Sequence, residues 1–244
     1  MDNAMYVVLS RQMTLRRELD VVANNLANAD TTGFKVEALQ VRTDTQAPAR
    51  MADGPKTLKF VLDDEVVRDF TQGSMQQTGG TFDLGIDGRG FFKIQTADGE
   101  RYTRDGRFTL SPEGKLTTQD GDPVMGDGGE IVLDPAQGPV NIAPDGSISQ
   151  GPQRVGKVAV VDFSDLSVLR KDGDNLFRNV SNLQPTTATA AQVRQGMLEG
   201  SNVNSILQVT RLIEISRSYE SMAKSIDNTS DLSRRAVERL GRVA

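Results

Sequence analysis

Apolar residues near the N-terminus fall at Met5, Val8, Leu15, Leu19, Val22 and Leu26, three and four apart, with one break at Gln12. A stripe of this period is the buried face of an amphipathic helix, predicted over residues 3–29. Asn24, Asn25 and Asn28 flank its end, and Asp30, Thr31, Thr32 and Gly33 stop it. Short polar side chains compete for backbone bonds, and glycine takes the left-handed conformation that ends helices. At the other end of the chain, Leu212, Ile215, Tyr219, Met222 and Ile226 repeat the alternation. The pattern predicts helix from Gln192, with LEGSNVN (198–204) marking an entry turn or break. No Pro or Gly intervenes from Asn204 to Leu240, so this helix would run roughly 55 Å if straight.

Between these ends the texture differs. Residues 34–43 read as extended, and QAPARMADGP (46–55) reads as a loop. The runs 57–62 and 65–70 read as short strands, with Asp63-Asp64 as a hairpin turn. The window 73–173 holds 18 of the 23 glycines. There, short apolar runs alternate with Asp-Gly pairs at 87–88, 98–99, 105–106, 120–121, 127–128 and 145–146. That pattern predicts an antiparallel β domain. Its candidate strands are 82–86, 91–95, 102–104, 108–110, 116–118, 131–133, 142–143 and 155–162, the last (in VGKVAVVDF) being the most apolar and expected to be central. Residues 174–191 read as a polar connector. The expected fold class is α+β: long N- and C-terminal helices forming a coiled-coil stem, with a central antiparallel all-β domain. The expected division is 1–35 (N-terminal helix of the stem), 36–75 (extended connector with short strands), 76–185 (β domain) and 186–244 (C-terminal helix of the stem).

Composition narrows the chemistry. The net charge of −5 argues against nucleic acid as partner, since such binders present basic patches. Charge is unevenly spread: residues 1–37 carry four basic and five acidic groups, residues 192–244 eight and six, leaving −6 on the middle. Cysteine and histidine are both absent, which excludes disulfides, Cys/His metal sites, thiol nucleophiles and histidine bases. The apolar run Ala4–Leu9 is interrupted at Ser10 and Arg11, far short of the ~20 residues of a membrane span. The start of the chain lacks the basic region, apolar core and small-residue cleavage site of a signal peptide.

Three constellations could suggest a site. GIDGRG (85–90) has the wrong glycine order for a phosphate loop, and a strand follows it rather than a helix. Asp120, Asp122, Asp127 and Glu130 lack the spacing of a calcium loop, and Pro123 interrupts them. Asp83 and Asp87 are the best candidates for a glycan-cleaving carboxylate pair, but Asp87 opens a turn pair and nothing suggests a raised pKa. We therefore expect no catalytic, cofactor-binding or metal-binding residue. Arg234, Arg235, Arg239 and Arg242 suit the C-terminal end of a helix, where cations favour the dipole.

Several segments carry a resemblance. The run ANNLANADTTGFK (23–35) closely resembles the N-terminal signature of flagellar axial proteins, the rod and hook family of the bacterial basal body. The stretch from TGGTFDLGIDGRGFF through RYTRDGRFTL to DPVMG (78–126) is similar to that family's core, with Gly88 and Gly90 supplying positive backbone dihedrals beside Phe91 and Phe92. LEGSNVN followed by the helix containing RSYE resembles the family's C-terminal end, so the likeness covers nearly the whole chain. Asn24, Asn25, Asn28, Thr32, Gly33, Phe34, Gly88, Gly90, Phe91 and Phe92 are the motif residues.

The resemblance implies a non-enzymatic structural subunit of the proximal rod, with a distal-rod or other axial protein as the alternative. The helices would form an inner layer and the β domain an outer one, in a drive shaft that bears torque and conducts exported subunits. It implies an assembly interface of Val8, Leu15, Leu19, Val22, Leu26, Leu212, Ile215, Tyr219, Met222 and Ile226. The implied partners are other rod proteins (proximal below, distal above), further copies of the chain and the flagellar type III export apparatus. Neither nucleic acid nor a small-molecule substrate is among them, and the rod passes peptidoglycan without a predicted binding site. The implied location is the basal-body rod in the periplasmic space, reached without a cleaved signal. Read without the resemblance, the same residues would also suit a soluble β-domain binding module, for glycan for example, with a helical oligomerisation stem.

Overall fold

A computed structural model describes residues 2–43 and 61–241. The chain divides into two compact units, each built from discontinuous segments. Unit 1 comprises Met1–Ala27, Glu37–Asp69 and Asn204–Ala244; unit 2 comprises Asn28–Val36 and Phe70–Val203.

Unit 1 holds helix α1 (Asp2–Ala27, 26 residues), strands β1 (Glu37–Thr43) and β2 (Val61–Arg68), and helix α2 (Ser205–Gly241, 37 residues). β1 and β2 pair antiparallel from Glu37↔Arg68 to Thr43↔Val61, with a bulge at Gln40/Val41. α1 packs on α2 and also on this two-stranded sheet. Leu15 and Val22 are its most buried apolar residues, 2% and 7% exposed. Val8, Leu19 and Leu26 are half-buried, as are Leu212, Ile215, Tyr219, Met222 and Ile226 on α2.

This corrects the expected fold class. The described chain has one N-terminal and one C-terminal α-helix around a mainly β region, and no coiled-coil stem is present. The physical reason lies in what α1 buries. Its seam is broken at Gln12, and the sheet β1–β2 shares the face that a two-helix coil would need.

Two element readings also change. Asp63 and Asp64 lie inside the single strand β2 rather than at a turn, because β2 pairs with β1 and not with itself. The loop 46–55 and residues 57–60 fall outside the described residues. The C-terminal helix starts at Ser205; the segment from Gln192 forms strands instead.

Unit 2 is almost all β. Its strands are β3 (Met75–Gln77), β4 (Leu84–Asp87), β5 (Phe91–Thr96), β6 (Gly99–Thr103), β7 (Thr109–Leu110), β8 (Leu116–Thr117), β9 (Met125–Gly126) and β10 (Gly129–Glu130). Then come β11 (Val140–Ile142), β12 (Ser147–Gln150), β13 (Gln153–Lys157), β14 (Val160–Asp162), β15 (Leu169–Lys171), β16 (Leu176–Asn179), β17 (Thr186–Thr187), β18 (Gln192–Gln195) and β19 (Met197–Glu199). The largest sheet has the order β15-β16-β6-β5-β14-β17, and β11-β12-β13 form a second. The expected central strand 155–162 is in fact two: β13 at the edge of the three-stranded sheet and β14 inside the six-stranded one. The polar connector 174–191 contains β16 and β17.

Adjacent residues of a strand face opposite ways, and β5 uses this to serve two cores. Phe92 lies with Leu84, Ile86, Ile94, Leu116, Ile148 and Val158. Phe91 lies with Tyr102, Phe163, Leu169 and Phe177. The second core is an aromatic cluster: Phe91 meets the rings of Phe70, Phe163 and Phe177 edge to face at 5.5, 6.3 and 6.0 Å.

Candidate functional site

In unit 1, Asn24 and Asn25 do more than flank the end of α1. Asn25 Nδ2 donates to the Glu37 carbonyl at 2.7 Å, and the Glu37 amide donates to Asn25 Oδ1 at 2.8 Å. A buried asparagine thus mimics a strand partner and pins the start of β1 to α1. The Glu37 carboxylate accepts from Asn24 Nδ2 at 3.3 Å and pairs with Arg68 Nε at 2.9 Å. The same acid therefore ties α1, β1 and β2 together. Beside it lies a groove of about 270 Å³, lined by Val21, Val22, Leu39 and Ile215 with Glu18 and Arg211 at its rim.

In unit 2 the segment after α1 folds onto the end of β19. Asn28 accepts from the Thr31 hydroxyl at 3.1 Å, and Asn175 Nδ2 donates to the Thr32 carbonyl at 3.2 Å. The Gly33 amide donates to the Glu199 carbonyl at 2.7 Å. Gly33 has φ +70, and a Cβ there would lie 2.5 Å from the Asp105 nitrogen. Only glycine fits both the dihedral and the space. Phe34 is buried under Lys171, whose Nζ sits 4.7 Å above the ring centroid. Gly88 and Gly90 have φ of 104° and 150°.

The centre of this region is an ion cluster the sequence did not reveal. The Glu199 side chain is fully buried. Its Oε1 lies 2.5 Å from Lys35 Nζ and accepts from the Gly73 amide at 2.9 Å; its Oε2 lies 2.8 Å from Arg104 Nη1. Lys35 also donates to the Thr71 carbonyl at 2.7 Å, and Arg104 to the carbonyls of Ile86 and Gly88 at 3.2 and 2.7 Å. The Arg104 guanidinium stands 5.5 Å from the Phe91 ring centroid. Burial lowers the Arg104 pKa, and the facing Glu199 charge opposes that shift. Next to the cluster, Asn202 accepts from the Val36 amide at 2.7 Å and donates to the Thr71 carbonyl at 3.1 Å.

Both oxygens of Glu199 are engaged, by two cations and an amide, while Arg104 Nε is buried without a hydrogen-bond partner. The cluster gathers five stretches of unit 2, around residues 33–36, 71–73, 86–88, 104 and 199–202. The sequence offered one faint sign: a lysine set between Phe34 and Val36. Nothing local pairs it with an acid 164 residues away.

The carboxylates considered for catalysis have ordinary partners. Asp83 accepts from the Thr78 hydroxyl at 2.6 Å, and Asp87 pairs with Arg194 at 3.2 Å. One cleft of unit 2, about 450 Å³, mixes Asp105, Asp120 and Asp174 with Arg107 and Lys171. Arg107 is itself held by Asp105 at 2.7 Å.

Three family models match this chain. Residues 5–35 match the one described as flagella basal body rod protein, residues 85–150 the flagellar hook protein FlgE/F/G D1 domain, and residues 194–239 the flagellar basal body rod FlgEFG protein C-terminal. The chain is 61% identical to the flagellar basal-body rod protein FlgF of Caulobacter vibrioides, with 100% of both chains covered. It is 34% identical to FlgF of Escherichia coli, with 97% of each covered. It is 31% identical to the flagellar basal-body rod protein FlgG of Bacillus subtilis, with 94% of this chain and 96% of the relative covered. With full-length identity of this order and all three segments of the pattern in place, the chain belongs to the flagellar basal-body rod protein FlgF family, structural rod subunits of the bacterial flagellum.

Proposed function

We propose that the chain is a subunit of the proximal rod, built into the axial shaft through its terminal helices. The observation that carries this is the incomplete burial of those helices. Val8, Leu19, Leu26 and the whole stripe Leu212, Ile215, Tyr219, Met222 and Ile226 remain half-buried in unit 1. Apolar area left half in water is removed from it by packing against further subunits, at about 25 cal/mol per Å². In this reading the eight half-buried stripe residues form the assembly interface, backed by Leu15 and Val22, which are already buried within unit 1, and the helices contribute the inner layer of the tube. The partners are other copies of the chain, a proximal-rod neighbour below, the distal rod above and the type III export apparatus that delivers the chain without cleavage. The site is the basal-body rod where it crosses the periplasmic space. The role is mechanical, transmitting torque and leaving a conduit for exported subunits, and it requires no catalysis.

The 61% identity to the Caulobacter vibrioides FlgF, against 31% to the Bacillus subtilis FlgG, favours the proximal over the distal rod. Cryo-electron microscopy of isolated basal bodies tests the reading. Density for α1 and α2 along the axial tube of the proximal rod is the expected result. Absence of the chain from the rod, with the protein recovered in soluble extracts, overturns it.

A further inference from the structure

The chain passes between the two units at 27/28, 36/37, 69/70 and 203/204. A load carried along the backbone into unit 2 enters it at those points. Inside unit 2 the segments leading to the last three are tied to one another pairwise. Asn202 Oδ1 accepts from the Val36 amide, and Lys35 pairs with Glu199, so the exits near 36 and 203 are joined. Lys35 Nζ donates to the Thr71 carbonyl, which joins the exits near 36 and 70. Asn202 Nδ2 donates to the same carbonyl, and the Gly73 amide to Glu199 Oε1, which joins the exits near 70 and 203.

The position of this triangle on the sheet matters. β3 and β19 pair antiparallel, with Met75 opposite Glu199 as the rung nearest both exits. In an antiparallel pair the chain before β3 and the chain after β19 leave from the same end. A force that draws residues 70 and 203 apart therefore opens the ladder from Glu199, one rung at a time. The Glu199 carboxylate lies across that opening. It must be pulled off Lys35, Arg104 and the Gly73 amide before the first rung parts, and Arg104 is itself anchored on the carbonyls of Ile86 and Gly88. The two backbones also touch there: a Cβ on Gly73 would lie 2.0 Å from the Gly200 oxygen. Bonds that fail together resist force better than the same bonds failing in turn, because forced unfolding is set by the barrier to rupture.

We propose that Lys35, Glu199 and Asn202 form a mechanical clamp that keeps unit 2 closed when torque pulls on its exits. This rests on the rod-subunit reading above, which supplies the load. The clamp acts by direction: it protects against force applied at the exits far more than against force applied elsewhere on unit 2.

The absence of cysteine makes the test direct, because paired cysteines become the only handles for single-molecule pulling of the full chain. Asp69→Cys with Ser205→Cys, both exposed, loads the exits. Ala97→Cys with Gln137→Cys, also exposed, loads unit 2 elsewhere. At constant force, Lys35→Gln and Asn202→Ala are each expected to raise the rupture rate about ten-fold in the first geometry and no more than about two-fold in the second. An equal rise in both geometries makes the cluster an ordinary stabiliser and overturns the proposal. A covalent substitute gives an independent check. A Cβ on Gly200 would lie 3.3 Å from Ser74 Oγ, within reach of a disulfide. In a motile host, Lys35→Gln should leave the chain in basal bodies and swimming normal in dilute medium, but stall cells in viscous medium. Adding Ser74→Cys with Gly200→Cys should restore swimming there when oxidised and lose it when reduced. Normal viscous swimming of the Lys35→Gln strain, or no rescue by the oxidised pair, overturns the clamp and leaves the rod reading intact. Wild-type basal bodies that lack the chain overturn the rod reading, and the role of the clamp in the shaft with it.

Discussion

Glu199 is fully buried between Lys35 and Arg104, and that position sets the largest single-residue effect. Glu199→Gln removes the buried carboxylate that Lys35 and Arg104 share, a loss of about 3–5 kcal/mol for a broken buried pair. Lys35→Gln costs less, because Glu199 keeps Arg104. Urea denaturation of the three proteins should rank them in that order, and equal midpoints would contradict it. Gly33→Ala should cost more than the ~1–2 kcal/mol of a left-handed dihedral alone, because the new Cβ meets the backbone of Arg104 and Asp105. Tyr102 gives a pH signature. Burial, then the charge of Glu100 and a hydrogen bond to it, push its phenol up to about 12. The folded pKa exceeds the unfolded one, so this stability is complete below about pH 10. It is lost as pH rises towards 12, where the unfolded chain ionises first. A fall in unfolding free energy over that window, flattened by Tyr102→Phe, is the expected result. The Gly33 turn was legible from sequence because the requirement is local. The ion cluster was not, since its three charges are brought together only by the fold.

At the scale of elements, legibility followed the range of the interactions. The long C-terminal run without Pro or Gly became α2 with its expected length, and the Asp-Gly pairs marked real turns between strands. Failures came where a distant partner decides. Gln192–Gln195 forms β18 because β4 supplies its ladder, from Gln192↔Asp87 to Gln195↔Leu84. Read alone, those residues continue a helical pattern. β2 runs through two aspartates because β1 pairs with it on both sides of them. The apolar run 155–163 splits because its halves join different sheets. The helix stripes were legible; what packs on them was not, because the pattern of α1 cannot say that a two-stranded sheet shares its buried face. Ile215 tests that arrangement. It lines the groove with Val21, Val22 and Leu39, and Ile215→Asp places a carboxylate there at a cost of several kcal/mol. The variant should be absent from basal bodies, and Leu26→Asp likewise. The amide spectrum of unit 2 should be unchanged in both. Normal motility in either strain would count against the assembly reading.

For the whole molecule, the consequence lies in how unit 2 closes. β3 and β4 find their partners in β19 and β18, more than a hundred residues later. The Glu199 that neutralises Lys35 and Arg104 arrives with β19. Chain closure over such a loop must be met before its contacts repay it, so unit 2 should fold as one cooperative body only when residues 192–203 are present. Two truncations separate this from simple accumulation of stability. A chain ending at Val203 keeps every segment of unit 2 and should unfold in one sharp urea transition. A chain ending at Ala191 loses β18, β19, Glu199 and Asn202, which orphans the edges of β3 and β4 and removes the carboxylate that Lys35 and Arg104 share. It should lack the dispersed amide spectrum of the longer chain and bind hydrophobic dye. A sharp transition in the shorter chain would mean that β5, β6, β14 and β16 fold alone. The C-terminal segment would then be a late addition rather than the piece that closes the domain.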